Sequence, residues 1–456
     1  MSAARTALIL ALAVFGALLL RHHWTIVTMP IPLDLYEGTM PLITGIIASG
    51  ANPYTAAYQP QAADVYPPLY NILVAPLTHV FANDLVLHRA VSALFILLGC
   101  AVFWYATWRG ARSALLASAA ALAVYAGLVF YSTPVASTNA LGVFLFSLSV
   151  VVPWARRFSV RSLVAAGACG LLAFYAKQYF ILGVAIVCLY TFLYVSAARA
   201  LALGAGFAAA VLASLALVHW SSPYFLDNTL FSSSIAIRAL QQWSMARMQL
   251  VEFARIYGAY FAIALLAATA ALRAGGLRAA GAGLRARCAP RGWSWHAPLL
   301  AQPVDYFWFA FFWATVAVTL TIGQNPGNYM TYLFQLMSPF LLVAVFTGIG
   351  SVDARAWRWL PLVLLGFYQQ YTFLPRDFSY DARNWARMEE LVRGADQVLA
   401  TQMLLMMLLE NGKEIHQDGH TFYFPLAASK PALFRQREPA ARVEAVWSRY
   451  IADLYR

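Results

Sequence analysis

The sequence predicts a polytopic α-helical membrane protein of about eleven transmembrane helices, with a small external α/β domain at its C-terminus. Three observations predict this. Of the 456 residues 61% are hydrophobic and 11% charged, with a mean hydropathy of +0.64, whereas an ordinary soluble domain carries about 25% charged residues. Residues 1–373 break into apolar stretches near the roughly 17–25 residues that a helix needs to cross a bilayer. The segments between those stretches alternate between Arg-rich and charge-balanced. This composition excludes a soluble globular domain, a disordered chain and a nucleic-acid-coating protein.

The apolar stretches run over residues 6–29, 85–107, 114–131, 138–154, 162–179, 180–198, 200–219, 255–272, 304–322, 331–349 and 358–374. The gap at 179/180 is tight enough for a count of ten. The first stretch has Arg5 ahead of it and no small-residue cleavage site before Arg21, so it reads as a retained span. The formal net charge is +12, and the whole excess falls in residues 1–373, because residues 374–456 hold eleven acids and eleven bases. Arg5, Arg109, Arg112, Arg156, Arg157, Arg161, Arg199, Arg273, Arg278, Arg285, Arg287, Arg291, Arg355 and Arg358 share one set of segments with only Asp305 and Asp353. The opposite set carries six bases and six acids. The positive-inside rule places the Arg-rich set in the cytoplasm, and the 83-residue tail outside. The net charge therefore records orientation and calls for no nucleic-acid partner.

The first external loop, residues 30–84, holds four of the eight acids found before the tail: Asp34, Glu37, Asp64 and Asp84. Pro30 and Pro32 end the first helix. If the chain turns helical at Asp34, then Asp34 and Glu37 share one face three residues apart. A carboxylate at the outer mouth of a bundle can act as a general base, since a partly desolvated pair raises one pKa. The alternative is that Asp34 caps a short interfacial helix with Glu37 in its first turn. Residues 40–50 are apolar but too short to span, and read as an interfacial helix. Tyr66-Pro67-Pro68-Leu69-Tyr70-Asn71 opens a second such helix over Ile72–Phe81. Asp64 just before it is a ligand, a second acid or a turn residue.

An acidic loop after the first span, two interfacial helices and the Tyr-Pro-Pro-Leu-Tyr motif, in that order, resemble the bacterial GT-C glycosyltransferases. These are multi-span enzymes that use polyprenyl-phosphate sugars, and they include aminoarabinose and protein O-mannosyl transferases. The resemblance covers residues 1–200, with Asp34-Leu35-Tyr36-Glu37-Gly38 in place of the usual acid-Gly motif and Tyr66 where many relatives have Lys. It implies an inverting glycosyltransferase in the bacterial inner membrane, with its active site toward the periplasm. The donor would be a polyprenyl-phosphate-linked sugar, the acceptor a glycan, lipid or protein, and membrane lipids the surroundings. No cofactor is required by this chemistry, and a divalent cation at the acidic pair is compatible with it. The domain division expected is 1–373 for the catalytic transmembrane part and 374–456 for the external part.

Other polar residues fall into place beside this. Lys177, the only lysine before the tail, sits with Gln178 at the outer end of the fifth stretch. It reads as a snorkelling interface residue or as a phosphate contact, and the resemblance implies the second. Arg89 starts the second stretch, either as a helix-start anchor or paired with Asp84 or the acidic loop, and with Tyr66 it joins Lys177 among the candidate contacts to the donor phosphate. Arg238 and Arg247 in the external segment 220–254 are phosphate ligands or solvated charges. Asp64, Tyr70, Gln178, Asn328 and Tyr329 complete a candidate substrate pocket, with Asn328 and Tyr329 also fitting a plain turn after Pro326-Gly327. His22 and His23 are adjacent and so point to different helix faces, which is unsuited to sharing one metal. The segment 273–302 has no phosphate-binding glycine motif, in keeping with a lipid-carried donor. A transporter or flippase is the rival class. It would place ionisable side chains deep in mid-span, and here they gather at the ends of the stretches.

In the tail the pattern predicts a helix over Asp381–Arg393, a strand over 397–400 and a helix over Gln402–Glu410. A strand over 413–416 and a helix near 439–454 would follow. His416, Asp418 and His420 have metal-like spacing, but Gly419 makes a loop the alternative. None of the four cysteines lies in an external segment, so no structural disulfide is expected.

Overall fold

A computed structural model of the chain describes residues 3–34, 36–58, 64–130, 132–231, 244–275, 307–322, 329–352, 359–374, 379–395 and 404–413. Helices fall on each of the eleven apolar stretches: α1 Ala3–Thr28, α4 Leu85–Ala111, α5 Ala114–Leu128, α6 Asn139–Ala155, α7 Val160–Ala176, α8 Leu182–Tyr194, α9 Ala197–Ser221, α10 Ser244–Gly275, α11 Phe307–Ile322, the pair α12 Tyr329–Tyr332 and α13 Ser338–Val352, and α14 Leu360–Phe373. Five of these regions are long and apolar enough to cross a membrane by length and composition alone. Between α1 and α4 lie the two short helices expected in the first loop, α2 Thr39–Ala48 and α3 Leu69–Val74, the latter continued by a 3-10 turn over Ala75–His79.

The bundle is apolar inside and out, as a membrane protein must be. The α12–α13 region is central, with 83% of its apolar window buried, while α9 is peripheral at 11%. Large side chains such as Leu10, Trp24, Val164, Leu212 and Trp220 face outward. A water-soluble monomer would not present such a belt. Around α4 pack α5, α6 and α13, and α6 in turn packs on α7.

Glycine permits close approach between packed segments, as two contacts illustrate. A Cβ on Gly142 of α6 would stand 2.1 Å from the Phe180 ring, and one on Gly350 of α13 would stand 2.7 Å from the Ala111 backbone. These contacts lie at opposite ends of the bundle. The Gly350 end carries Arg109 and Arg112, and Arg156, Arg157 and Arg199 share it through the α6–α7 turn, where Arg199 donates to the Phe158 carbonyl at 3.3 Å.

In the tail, α15 Ser379–Gly394 and α16 Leu405–Glu410 match the two expected helices in type, and Val392 packs with Met407 and Leu408. Helix α16 rests on α2. The described residues contain no strand. The expected strand at 397–400, most of that at 413–416, the helix near 439–454 and His416, Asp418 and His420 lie outside them.

Candidate functional site

The two acids of the first loop have different fates. Residues 33–34 and 36–38 form bends and turns, and α2 starts only at Thr39. The expected helical face shared by Asp34 and Glu37 is therefore absent. Proline at 30 and 32 and Gly38 favour a turn here, and the acids bind backbone N–H groups within it. Glu37 has no exposed side-chain surface and pairs with Arg89, which is equally buried. The pair is bidentate, Arg89 Nε to Glu37 Oε1 at 2.7 Å and Nη2 to Oε2 at 2.6 Å. Oε1 also accepts from the Ala136 N–H at 2.7 Å, and Oε2 from the N–H groups of Leu33 at 2.5 Å and Asp34 at 3.3 Å. A carboxylate has about four lone-pair sites, so Glu37 is saturated.

Arg89 spends its other donors on the carbonyls of Ile26, Met29 and Ile31. These lie at the end of α1, where a helix leaves carbonyls without partners. Glu37 and Arg89 thus lock α1, the first loop, α4 and the α5–α6 connection together. Asp84 serves elsewhere, capping α4 by accepting from the Leu87 N–H at 2.9 Å. Tyr70 is also part of the scaffold: it is fully buried and donates to the His88 carbonyl at 2.7 Å.

Asp34, half-buried, accepts from the Tyr36 N–H through Oδ1 at 3.0 Å. Burial raises its carboxyl above the usual range and the charge of Glu37 adds to this, while the Tyr36 N–H and Lys177 oppose it. Asp64 is buried and accepts from the Tyr66 N–H at 3.0 Å. Its carboxyl is pushed up to about 7, chiefly by burial, against the pull of the Tyr66 N–H and of Lys177. Both acids therefore feel the same ammonium.

Lys177 follows the last residue of α7 in extended conformation. It is 5% exposed. Its Nζ donates to Asn139 Oδ1 at 2.8 Å and stands 4.4 Å from the centre of the Tyr66 ring and 5.3 Å from that of Tyr179. No ion pair among the described residues involves it. Tyr66, whose position is Lys in many relatives by the resemblance above, thus supplies a ring to a lysine arriving from another helix. Tyr36 packs edge-on against Tyr66 at 5.8 Å.

The neighbours of Lys177 hold the surrounding segments. Gln178 Nε2 donates to the Val65 carbonyl at 2.7 Å and to the Thr229 carbonyl at 2.8 Å. Tyr179 donates to Gln335 Oε1, and Gln335 Nε2 donates to Thr133 Oγ1 at 2.8 Å. Thr229 and Gln335 each belong to a π-helical turn, Asp227–Phe231 and Leu333–Met337. Such turns recur at functional sites and break the regular carbonyl pairing.

Of the residues singled out in the sequence, the structure brings Asp34, Asp64, Tyr66, Lys177 and Gln178 together. Glu37, Arg89 and Tyr70 lie in the scaffold beneath. Arg247 is exposed on the first turns of α10, and Tyr329 begins α12. Arg238 and Asn328 lie outside the described residues. Asn139, Tyr179 and Gln335 escaped sequence reasoning. Their one advance signal is that polar side chains at span ends are costly unless partnered.

The comparisons bear on the fold. The crystal structure of ArnT from Cupriavidus metallidurans bound to undecaprenyl phosphate is similar to this chain at 15% identity and a TM-score of 0.50. The match covers 97% of this chain and 75% of that one. At that identity the likeness is one of fold, the GT-C fold that the first external loop led us to expect. No known family profile and no curated protein sequence matches the chain.

Proposed function

We propose that this protein is an inverting membrane glycosyltransferase. It moves a sugar from a polyprenyl-phosphate carrier to an acceptor hydroxyl at the outer face of the cytoplasmic membrane, with eleven crossings and the tail outside. The observation that carries the reading is Lys177, a buried ammonium with one neutral hydrogen-bond partner, Asn139, and no ion pair among the described residues. A buried ammonium that makes no direct ion pair is costly, and a phosphate is an anion that a point cation holds well. The neighbour in fold was crystallised with undecaprenyl phosphate, which supports a lipid phosphate as that anion.

Asp34 serves as the general base, because Glu37 is committed to Arg89 and to three backbone N–H groups. A carboxyl raised toward neutrality is a better proton acceptor than an ordinary one. In the reaction the acceptor O–H gives its proton to Asp34 as its oxygen bonds to the anomeric carbon. The bond from that carbon to the phosphate oxygen breaks, and its electron pair leaves on the phosphate, which Lys177 stabilises. A divalent ion at the Asp34–Glu37 pair would find the Glu37 oxygens already taken by Arg89 and three backbone N–H groups. The donor set is therefore a poor fit to a metal, and no step is routed through one.

The test is transfer in proteoliposomes from polyprenyl-phosphate-linked sugars, read as release of free polyprenyl phosphate. Asp34→Asn should lower turnover by about 100-fold or more, and Lys177→Met should abolish saturable donor binding. Full turnover in Asp34→Asn would remove the base assignment, and unchanged donor binding in Lys177→Met would remove the phosphate site.

A further inference from the structure

We propose that Gln178 is a positioning residue: its single amide clasps the first external loop and the Asp227–Phe231 turn together and sets both in register with Lys177. The proposal rests on the reading of Lys177 as the phosphate-binding cation.

A primary amide has two N–H donors. Here both go to backbone carbonyls of separate segments, Val65 at 2.7 Å and Thr229 at 2.8 Å. The partners are 113 and 51 positions away in sequence, so neither bond belongs to a local turn. Val65 lies between Asp64 and Tyr66. Holding its carbonyl against Gln178 therefore holds Tyr66 beneath the Lys177 ammonium and Asp64 within its field. The other bond takes a carbonyl in a π-helical turn.

Further bonds join the same two segments: Asn52 Nδ2 donates to the Ser221 carbonyl and Ser222 Oγ, and the Tyr224 N–H to the Tyr54 carbonyl. Tyr54 in turn donates to the Tyr66 carbonyl at 3.0 Å. Gln178 is the point at which this seam meets Lys177. Its oxygen is not needed for the role, since both bonds are donated. An ammonium can replace the amide, but a thioether cannot.

The experiment uses the full chain in detergent with undecaprenyl phosphate as the probe, together with amide hydrogen exchange. Gln178→Met should weaken binding about tenfold, because both carbonyls lose their donor. It should also speed exchange at the Tyr66 and Asn228 amides, which are bonded to Asp64 Oδ1 and the Tyr224 carbonyl. Gln178→Lys should restore both readings to within about threefold of the parent, since its ammonium can donate to both carbonyls. A Met variant that binds like the parent overturns the clasp. So does weakened binding with unchanged exchange in both segments, which would make Gln178 a direct ligand. Failure of the parent chain to bind undecaprenyl phosphate overturns the donor reading and, with it, this role for Gln178. Normal parent binding with an unaffected variant overturns the clasp alone.

Discussion

Asp34 and Glu37 are three residues apart and carry the same functional group, yet a base can be built on one and not on the other. The difference comes from Arg89, 52 positions along the chain from Glu37. A guanidinium offers five N–H donors in a rigid fork, and here all five are used, two on Glu37 and three on carbonyls near the end of α1. Removing one partner of such a pair leaves a buried charge alone, at a cost of about 3–5 kcal/mol. Arg89→Ala should therefore lower the thermal midpoint of the purified protein strongly, while Asp34→Asn leaves it near that of the parent. If the two variants melted together at the parent's midpoint, the pair would not be holding the outer end of the bundle. Sequence could name Arg89 and the acidic loop as possible partners. It could not choose Glu37 over Asp34, because the choice depends on where the backbone at each of the two positions aims its carboxylate.

Elements were legible where one physical signal dominates. Apolar run length gave the helices, and proline and glycine gave the two short helices of the first loop, α2 and α3. The apolar stretch 40–50 placed the start of α2 within one residue of Thr39, but whether the chain turns helical already at Asp34 stayed open, since a helix beginning there and a turn place similar demands on sequence. The π-helical turns at Asp227–Phe231 and Leu333–Met337 left no sequence signal. Each receives a donor from elsewhere, Gln178 onto the Thr229 carbonyl of the first and Tyr179 onto the Gln335 side chain of the second. The link between element packing and the site runs through Gly142. Its missing Cβ admits the Phe180 ring, and Phe180 belongs to the 3-10 turn Gln178–Ile181 that follows Lys177. Gly142→Ala should overpack this contact by about 1–3 kcal/mol and displace the turn. The expected result is a lower thermal midpoint together with weaker undecaprenyl phosphate binding. A lower midpoint with unchanged binding would show that the turn tolerates the shift without moving Lys177.

At the scale of the whole molecule, the charge pattern and the contacts sort the ends of the helices in the same way. Asp34, Asp64, Asn139, Lys177, Thr229 and Gln335 are joined by contacts or by charge at one end, though they come from six separate parts of the chain. Arg109, Arg112, Arg156, Arg157 and Arg199 lie at the other. Crossing helices alternate direction, so the two readings agree in this way if α1 and α4 to α9 each run from one end to the other. The orientation we propose follows from the positive-inside rule, with the Arg-rich end in the cytoplasm and the site outside. This orientation can be tested without any substrate. In a chain whose four cysteines are replaced by alanine, Ala82→Cys, an exposed position in the first loop, should react with a membrane-impermeant maleimide added to intact cells. Arg156→Cys, exposed at the opposite end, should react only after the membrane is opened. Labelling of Arg156→Cys in intact cells, with Ala82→Cys protected, would invert the topology and put the Lys177 site in the cytoplasm.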